Sequence, residues 1–203
     1  MIVQSPHIDP TFRPRFFIKN RHVQSLLASV HFLTPSHRTL LENSREMVLE
    51  TGQDSRLLAY CTLSANPRGL MIILHGWEGS SSSAYVLAGG SYFYERGFSV
   101  CRLNLRDHGE SHHLNEGLFH GALLDETFDA VKVLSSLADG RPVYLLGFSL
   151  GANFCLRIAM KHSQTPIPNL KAVFAVSPPL DPYKTTLAID QGPSFYRDRK
   201  SVV

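Results

Sequence analysis

From Met47 onward, short β-branched apolar runs alternate with longer amphipathic stretches, and that alternation leaves few ways for the chain to fold. Strand candidates are Arg56 to Leu63, Gly69 to Leu74, Phe98 to Leu105, Pro142 to Leu146 and Lys171 to Val176, with a weaker one at Met47 to Glu50. Helix candidates fall between them. Ala84 to Arg96 is stopped by Gly97, Leu123 to Leu137 repeats apolar residues at Leu124, Phe128, Val131 and Leu134 before Gly140, and Ala152 to Lys161 follows Gly151. A βαβα order of this kind predicts an α/β fold, with a mostly parallel sheet, helices on both faces and right-handed crossovers. Four of the strand candidates are apolar enough throughout to be central.

With 203 residues, 43% of them hydrophobic, the chain has room for one domain with a real core, and disorder is excluded. Apolar runs such as Leu70 to Leu74 fall far short of a bilayer span, so no membrane segment is expected. Met1 to Pro10 lacks a charged region followed by an apolar one, and Cys61, Cys101 and Cys155 are too few and too scattered for a disulfide framework. A cytoplasmic setting is the resulting expectation. A net charge of +3 does not argue for a nucleic-acid partner. The one basic cluster, Arg13, Arg15, Lys19 and Arg21, is interleaved with Phe12, Phe16, Phe17 and Ile18. It could meet a membrane surface or an acidic ligand. The reading kept is that the aromatics pack while the long basic side chains stay solvated. Residues 1–45 contain Pro6, Pro10, Pro14 and Pro35 and read as an N-terminal extension with one short helix around His22 to Val30, while residues 46–197 read as the folded domain.

The chemistry concentrates at Gly147-Phe148-Ser149-Leu150-Gly151, a G-x-S-x-G pattern. Its context gives it force, because the buried strand Val143 to Leu146 precedes it and the helix Ala152 to Lys161 follows. Ser149 is thereby expected on a sharp strand-to-helix turn. Gly147 and Gly151 allow the tight bend and the close approach of helix and strand that lift the hydroxyl above the sheet. The competing reading is a generic glycine-rich turn capped by Ser149. A second element, His75-Gly76-Trp77-Glu78-Gly79, directly follows the strand Met71 to Leu74. Backbone N–H groups of Trp77 and Leu150 would face a developing oxyanion, while His75 is expected to fix the loop by hydrogen bonding more than to act chemically.

His108, His112, His113 and His120 raise the question of a metal site, but Gly109 and Gly117 break the helix that would align them and no cysteine lies nearby. No metal and no cofactor are expected, and no phosphate-cradling G-x-x-x-x-G-K-[ST] loop is present.

Together these residues resemble the α/β-hydrolase fold and, within it, the YheT-like subfamily of ester hydrolases, related to eukaryotic membrane-associated lipases and acyltransferases. Asn20-Arg21-His22-Val23-Gln24-Ser25-Leu26 resembles that subfamily's N-x-H-x-Q-[ST]-L signature, and His75 to Ser81 its HG-x-x-GSS loop. Gly147 to Asn153 is similar to its GFSLGGN elbow, and Asn104-Leu105-Arg106-Asp107-His108-Gly109 falls at its loop after the fourth strand. The resemblance covers about residues 12–197 and implies Ser149 as the nucleophile in hydrolysis of carboxylic esters, with a small-molecule ester or acyl lipid as substrate.

In this fold the triad runs Ser, then Asp or Glu, then His. Here that order cannot be completed. The only histidine after Ser149 is His162, at the far end of the following helix, and the acids Asp181, Asp190 and Asp198 all come after it. Asp181 is read either as an acid just past a strand or as the cap of a following helix. The resemblance further implies a cap segment and two more strand-helix units, so the chain is expected to lack the last strand-helix units, to leave Lys171 to Val176 as a bare hydrophobic edge, and to be nearly inactive. Asp198-Arg199-Lys200-Ser201-Val202-Val203 is what one reading frame of a common sequencing-adapter oligonucleotide encodes, so residues 198–203 are read as a non-native tail. Acyl transfer to an alcohol, or a hydrolase-derived binding module without chemistry, are the alternatives.

Overall fold

The structure, a computed structural model, describes residues 13, 16, 19, 20, 23, 37–52 and 54–192. The helix expected over His22 to Val30, Val23 apart, and the tail 198–203 lie outside the described residues. Contacts divide the chain into two compact units, Met1–Thr34 and Pro35–Val203. In the first, the Val23 N–H donates to the Asn20 side chain at 3.4 Å.

The second unit is built on a six-stranded sheet of β1 (Ser44–Thr51), β2 (Ser55–Thr62), β3 (Leu70–Leu74), β4 (Ser99–Leu103), β5 (Val143–Phe148) and β6 (Leu170–Val176), in the order β1-β2-β4-β3-β5-β6. β4, β3, β5 and β6 run parallel, while β1 and β2 form a hairpin that joins antiparallel to β4. The sheet is therefore mixed but mostly parallel, as expected. Around it lie α1 (Arg38–Glu42), α2 (Ala84–Tyr94), α3 (Leu124–Ser135), α4 (Leu150–His162) and α5 (Pro182–Asp190).

Alternation along β3 shows why helices cover both faces. Leu70, Ile72 and Leu74 join Phe128, Val131 and Leu134 of α3 and Phe154, Cys155 and Ile158 of α4 in one cluster. Met71 and Ile73 point the other way and join Val86 of α2 and Leu40 of α1. All five β3 residues are buried, and each such side chain contributes about 1.5–3 kcal/mol relative to exposure. The Asn104 N–H still donates to Leu58 O of β2 at 2.8 Å, and the chain leaves the ladder after it. There the Leu105 N–H is taken by the His75 ring rather than by a strand, which is why β4 ends two residues before its expected limit.

Two helices escaped the sequence pattern. α1 is one turn and a half long, and α5 buries no residue, so neither carries a periodic apolar stripe. Asp181-Pro182 was the available signal for α5, because the Asp181 carboxylate accepts the Lys184 N–H at 3.0 Å and proline occupies the first helical position. Of the two roles weighed for Asp181, the cap is the one its hydrogen bonds show.

Cys61 and Cys101 are 40 residues apart in sequence yet face each other across the β2–β4 pair, with Cα atoms 4.1 Å apart, and are joined by a disulfide. One cross-link is not a framework, but sequence spacing hid this pairing. Cys155 is a buried thiol whose pKa burial pushes up, a core side chain rather than a nucleophile. Among the described residues β6 closes the sheet, with Phe174 and Val176 exposed. No helix of the described residues is long and apolar enough to cross a membrane.

Candidate active site

Ser149 stands at the corner where β5 becomes α4, exposed, with φ 49° and ψ −114°. A positive φ at a residue with a Cβ costs on the order of 1–3 kcal/mol and persists only where the surroundings enforce it. Here they do. The Ser149 N–H donates to Val176 O at the end of β6 (2.9 Å), and its carbonyl accepts the Asn153 N–H one turn into α4 (3.0 Å). The flanking glycines are required by space. A Cβ on Gly147 would sit 2.5 Å from Cys155 Sγ and collide with the Gly151 carbonyl, and one on Gly151 would collide with the His75 and Leu74 carbonyls. With neither clash present, α4 seats directly against the ends of β3 and β5.

The loop after β3 comes up beside this corner. A Cβ on Gly76 would lie 3.2 Å from Ser149 Cβ and 3.3 Å from Phe148 O, so the two segments touch through glycine. The Gly76 N–H is already used, donating to the Tyr85 hydroxyl at 3.0 Å. Trp77 therefore carries the next amide of the loop, and Leu150 carries the first amide of α4, at a helix N-terminus whose leading N–H groups have no partner within the helix. Both lie within one residue of the Gly76–Ser149 contact.

His75 is fully buried, and both ring nitrogens are occupied. Nε2 accepts the Leu105 N–H at 3.0 Å, so Nδ1 carries the proton and donates to Gly76 O at 2.7 Å. Burial holds its pKa down at about 3, so the ring is neutral and acts as a strut between the β3 loop and the end of β4. An unfolded chain protonates this histidine near pH 6.5, whereas the folded one resists until about pH 3. Stability should therefore fall as pH drops through that window, by up to about 1.4 kcal/mol per pH unit from this group. Urea unfolding from pH 7 to 5, where most carboxylates stay ionised, should show a steeper slope in the native protein than in His75→Gln, which keeps only the smaller contribution of His37, also lowered by burial.

Two further residues hold the loop. The Asn104 side-chain oxygen accepts the Ser81 N–H at 2.6 Å, and the buried Arg102 guanidinium donates to Ser81 O at 2.7 Å and to Ser44 Oγ at 2.9 Å. Tyr85, Arg102 and Asn104 had no assigned role in the sequence reading, because a side chain that braces a loop from another element leaves no local pattern. Beyond the loop, Arg106 pairs with Glu126 of α3 and both bond Ser55, which ties the segment after β4 to the sheet.

Next to Trp77 lies a cavity of about 590 Å³ lined by Glu78, Asp107, His108, His112 and Phe119 among others. The Asp107 carboxylate accepts from His112 Nδ1 at 2.6 Å, and His108 Nδ1 donates to Arg106 O at 2.7 Å. Among the described residues no group of three or more His, Cys, Asp or Glu is arranged to hold a metal. His162 ends α4, far from Ser149, where its Nδ1 accepts the Ile167 N–H at 2.9 Å.

Comparison with solved structures places this architecture. A serine hydrolase without a lid from Xanthomonas campestris superposes with a TM-score of 0.51 at 24% identity, over 60% of this chain and 57% of that one. An esterase of Pyrococcus furiosus gives 0.63 at 20% identity, over 78% and 60%. Est1E of Butyrivibrio proteoclasticus, solved with ferulic acid bound, gives 0.55 at 24%, over 65% and 52%. The aligned chain thus spans less than two thirds of the length of each. A search of curated proteins returned no match. Residues 69–199 match the model of the alpha/beta hydrolase fold, nearly two thirds of the sequence, and that match agrees with the sheet order and the β5–α4 corner. The chain belongs to the alpha/beta hydrolase fold family.

Proposed function

We propose that Ser149 is the nucleophile of a serine hydrolase acting on carboxylic esters through an acyl-serine intermediate. The observation that carries this is the exposed hydroxyl at φ 49° beside the β3 loop. In the proposed reaction Ser149 Oγ attacks the ester carbonyl carbon and its proton passes to a general base. The carbonyl oxygen becomes an oxyanion received by the N–H groups of Trp77 and Leu150. Loss of one such donor typically costs about 3–4 kcal/mol. The alcohol then leaves with a proton, and water releases the acid from the acyl-serine. His75, Gly76, Gly147 and Gly151 shape this site without touching the reacting atoms.

The base and its acid are not among the described residues around Ser149. We propose that they belong to chain outside these 203 residues, in a protein of the YheT-like group acting on a small ester or acyl lipid, with nucleic acid forming no part of the reading. Burst kinetics with a p-nitrophenyl ester, on a version extended by whatever follows residue 197 in the source DNA, tests this. One equivalent of p-nitrophenol released before steady state supports the acyl-serine; linear release with no Ser149 dependence opposes it. The engagement of His162 by Ile167 favours a second reading for the 203-residue chain itself, a hydrolase-derived binding module.

A cytoplasmic setting is part of the proposal and sets a chemical expectation. Glutathione-rich surroundings keep thiols reduced, so in that compartment the Cys61–Cys101 bond of the structure would be open and alkylation of denatured protein trapped directly from cells should modify Cys61, Cys101 and Cys155. Modification of Cys155 alone after denaturation would place the protein in an oxidising compartment.

A further inference from the structure

We propose that the cavity beside Trp77 binds the alkylated ammonium end of a small organic cation in preference to a neutral or anionic group of the same shape. The inference depends on the ester reading only in making that cation part of a substrate; the binding itself does not require Ser149 chemistry.

The cavity has an aromatic wall. Trp77 meets Phe119 edge to face with centroids 6.4 Å apart, and Phe119 is braced by His108 at 5.0 Å and by the buried Phe154 at 6.0 Å. Indole and phenyl faces are the surfaces to which an ammonium group is drawn, indole most strongly. The rim adds two carboxylates, Glu78 and Asp107, beside His108 and His112, and none of the described lining residues is lysine or arginine. Arg106, next to Asp107 in sequence, does not neutralise it, because its guanidinium is spent on Glu126 and Ser55. His112 pairs with Asp107 through Nδ1 at 2.6 Å, so part of the Asp107 charge is already engaged and Glu78 supplies the rest of the rim's negative potential. A concave surface with one sign of charge and apolar walls concentrates the opposite charge. A trimethylammonium group entering here meets aromatic rings and two carboxylates, whereas a carboxylate or phosphate meets the same two acids, with His108, His112 and the Trp77 amide as its donors.

Trp77 is the sole tryptophan of the chain, so its emission reports on this cavity directly. The 203-residue chain is titrated with choline, with 3,3-dimethyl-1-butanol, which replaces the nitrogen by carbon in the same shape, and with 3,3-dimethylbutyrate. Choline is expected to shift Trp77 emission at a concentration about tenfold below the neutral alcohol, and the anion to give no change. Asp107→Asn and Glu78→Gln should each shrink that preference to about threefold or less, with far-UV circular dichroism confirming the fold and either variant sufficient if the other misfolds. Equal response to choline and the alcohol, response to the anion, silence with all three ligands, or a preference that survives the substitutions would overturn the proposal. The ester reading is judged separately by covalent labelling of Ser149. Choline binding by the 203-residue chain together with an extended, folded protein that leaves Ser149 unlabelled leaves this inference standing and removes the other.

Discussion

Ser149→Ala is expected to lower kcat for ester hydrolysis by about 10⁶-fold in the protein that carries its acid and base, leaving roughly 10³–10⁴ over water from binding and the oxyanion amides. The reason is local. In the proposed reaction the attacking atom is this one hydroxyl, and the alanine variant keeps the Trp77 and Leu150 amides. Ser149→Gly should abolish activity equally and, in contrast, make the protein more stable by about 1 kcal/mol. The strain at φ 49° is relieved, less the extra chain entropy that glycine loses on folding. Parallel p-nitrophenyl ester assays and urea melts check both. A serine that merely caps a turn would show the stability change without the activity loss.

Gly151→Val is expected to destabilise the fold by on the order of 3 kcal/mol, a fall in Tm of roughly 6–12 °C for a chain of this size. A side chain at this position runs into main-chain atoms of Leu74 and His75, which cannot rotate aside as a flexible side chain could. Either α4 moves off the sheet or the β3 loop moves, and both displace the Ser149 corner from Trp77. Gly121→Ala is the control. A Cβ there meets nothing within 4 Å, so its change should stay within about 0.5 kcal/mol. Thermal melts of the two variants measured together give the comparison directly.

Much of the fold is legible because its strands are buried on both faces and read as apolar runs. β3 and β5 were found within one or two residues, and α2, α3 and α4 follow their glycine stops and apolar spacing. The corner at Ser149 was legible too, since Gly147 answers to packing against Gly151 within the motif, although the Leu74 and His75 carbonyls that require Gly151 come from the β3 loop. What was not legible is non-local. The Cys61–Cys101 pair depends on the β2–β4 register, and Tyr85, Arg102 and Asn104 reach the β3 loop from other elements. α5 lies exposed, so hydrophobic spacing says nothing about it. His75 is an intermediate case, because its position after β3 suggested a strut, and only the two ring hydrogen bonds identify what it joins.

Reactivity of Ser149 toward a fluorophosphonate, read by mass spectrometry of the peptide spanning β5 and α4, probes the account at its centre. The extended protein should carry one phosphonyl group on Ser149, lost in Ser149→Ala, and the 203-residue chain should react far more slowly. An extended, folded protein that leaves Ser149 unmodified, or that is modified at another serine with equal speed, would contradict it.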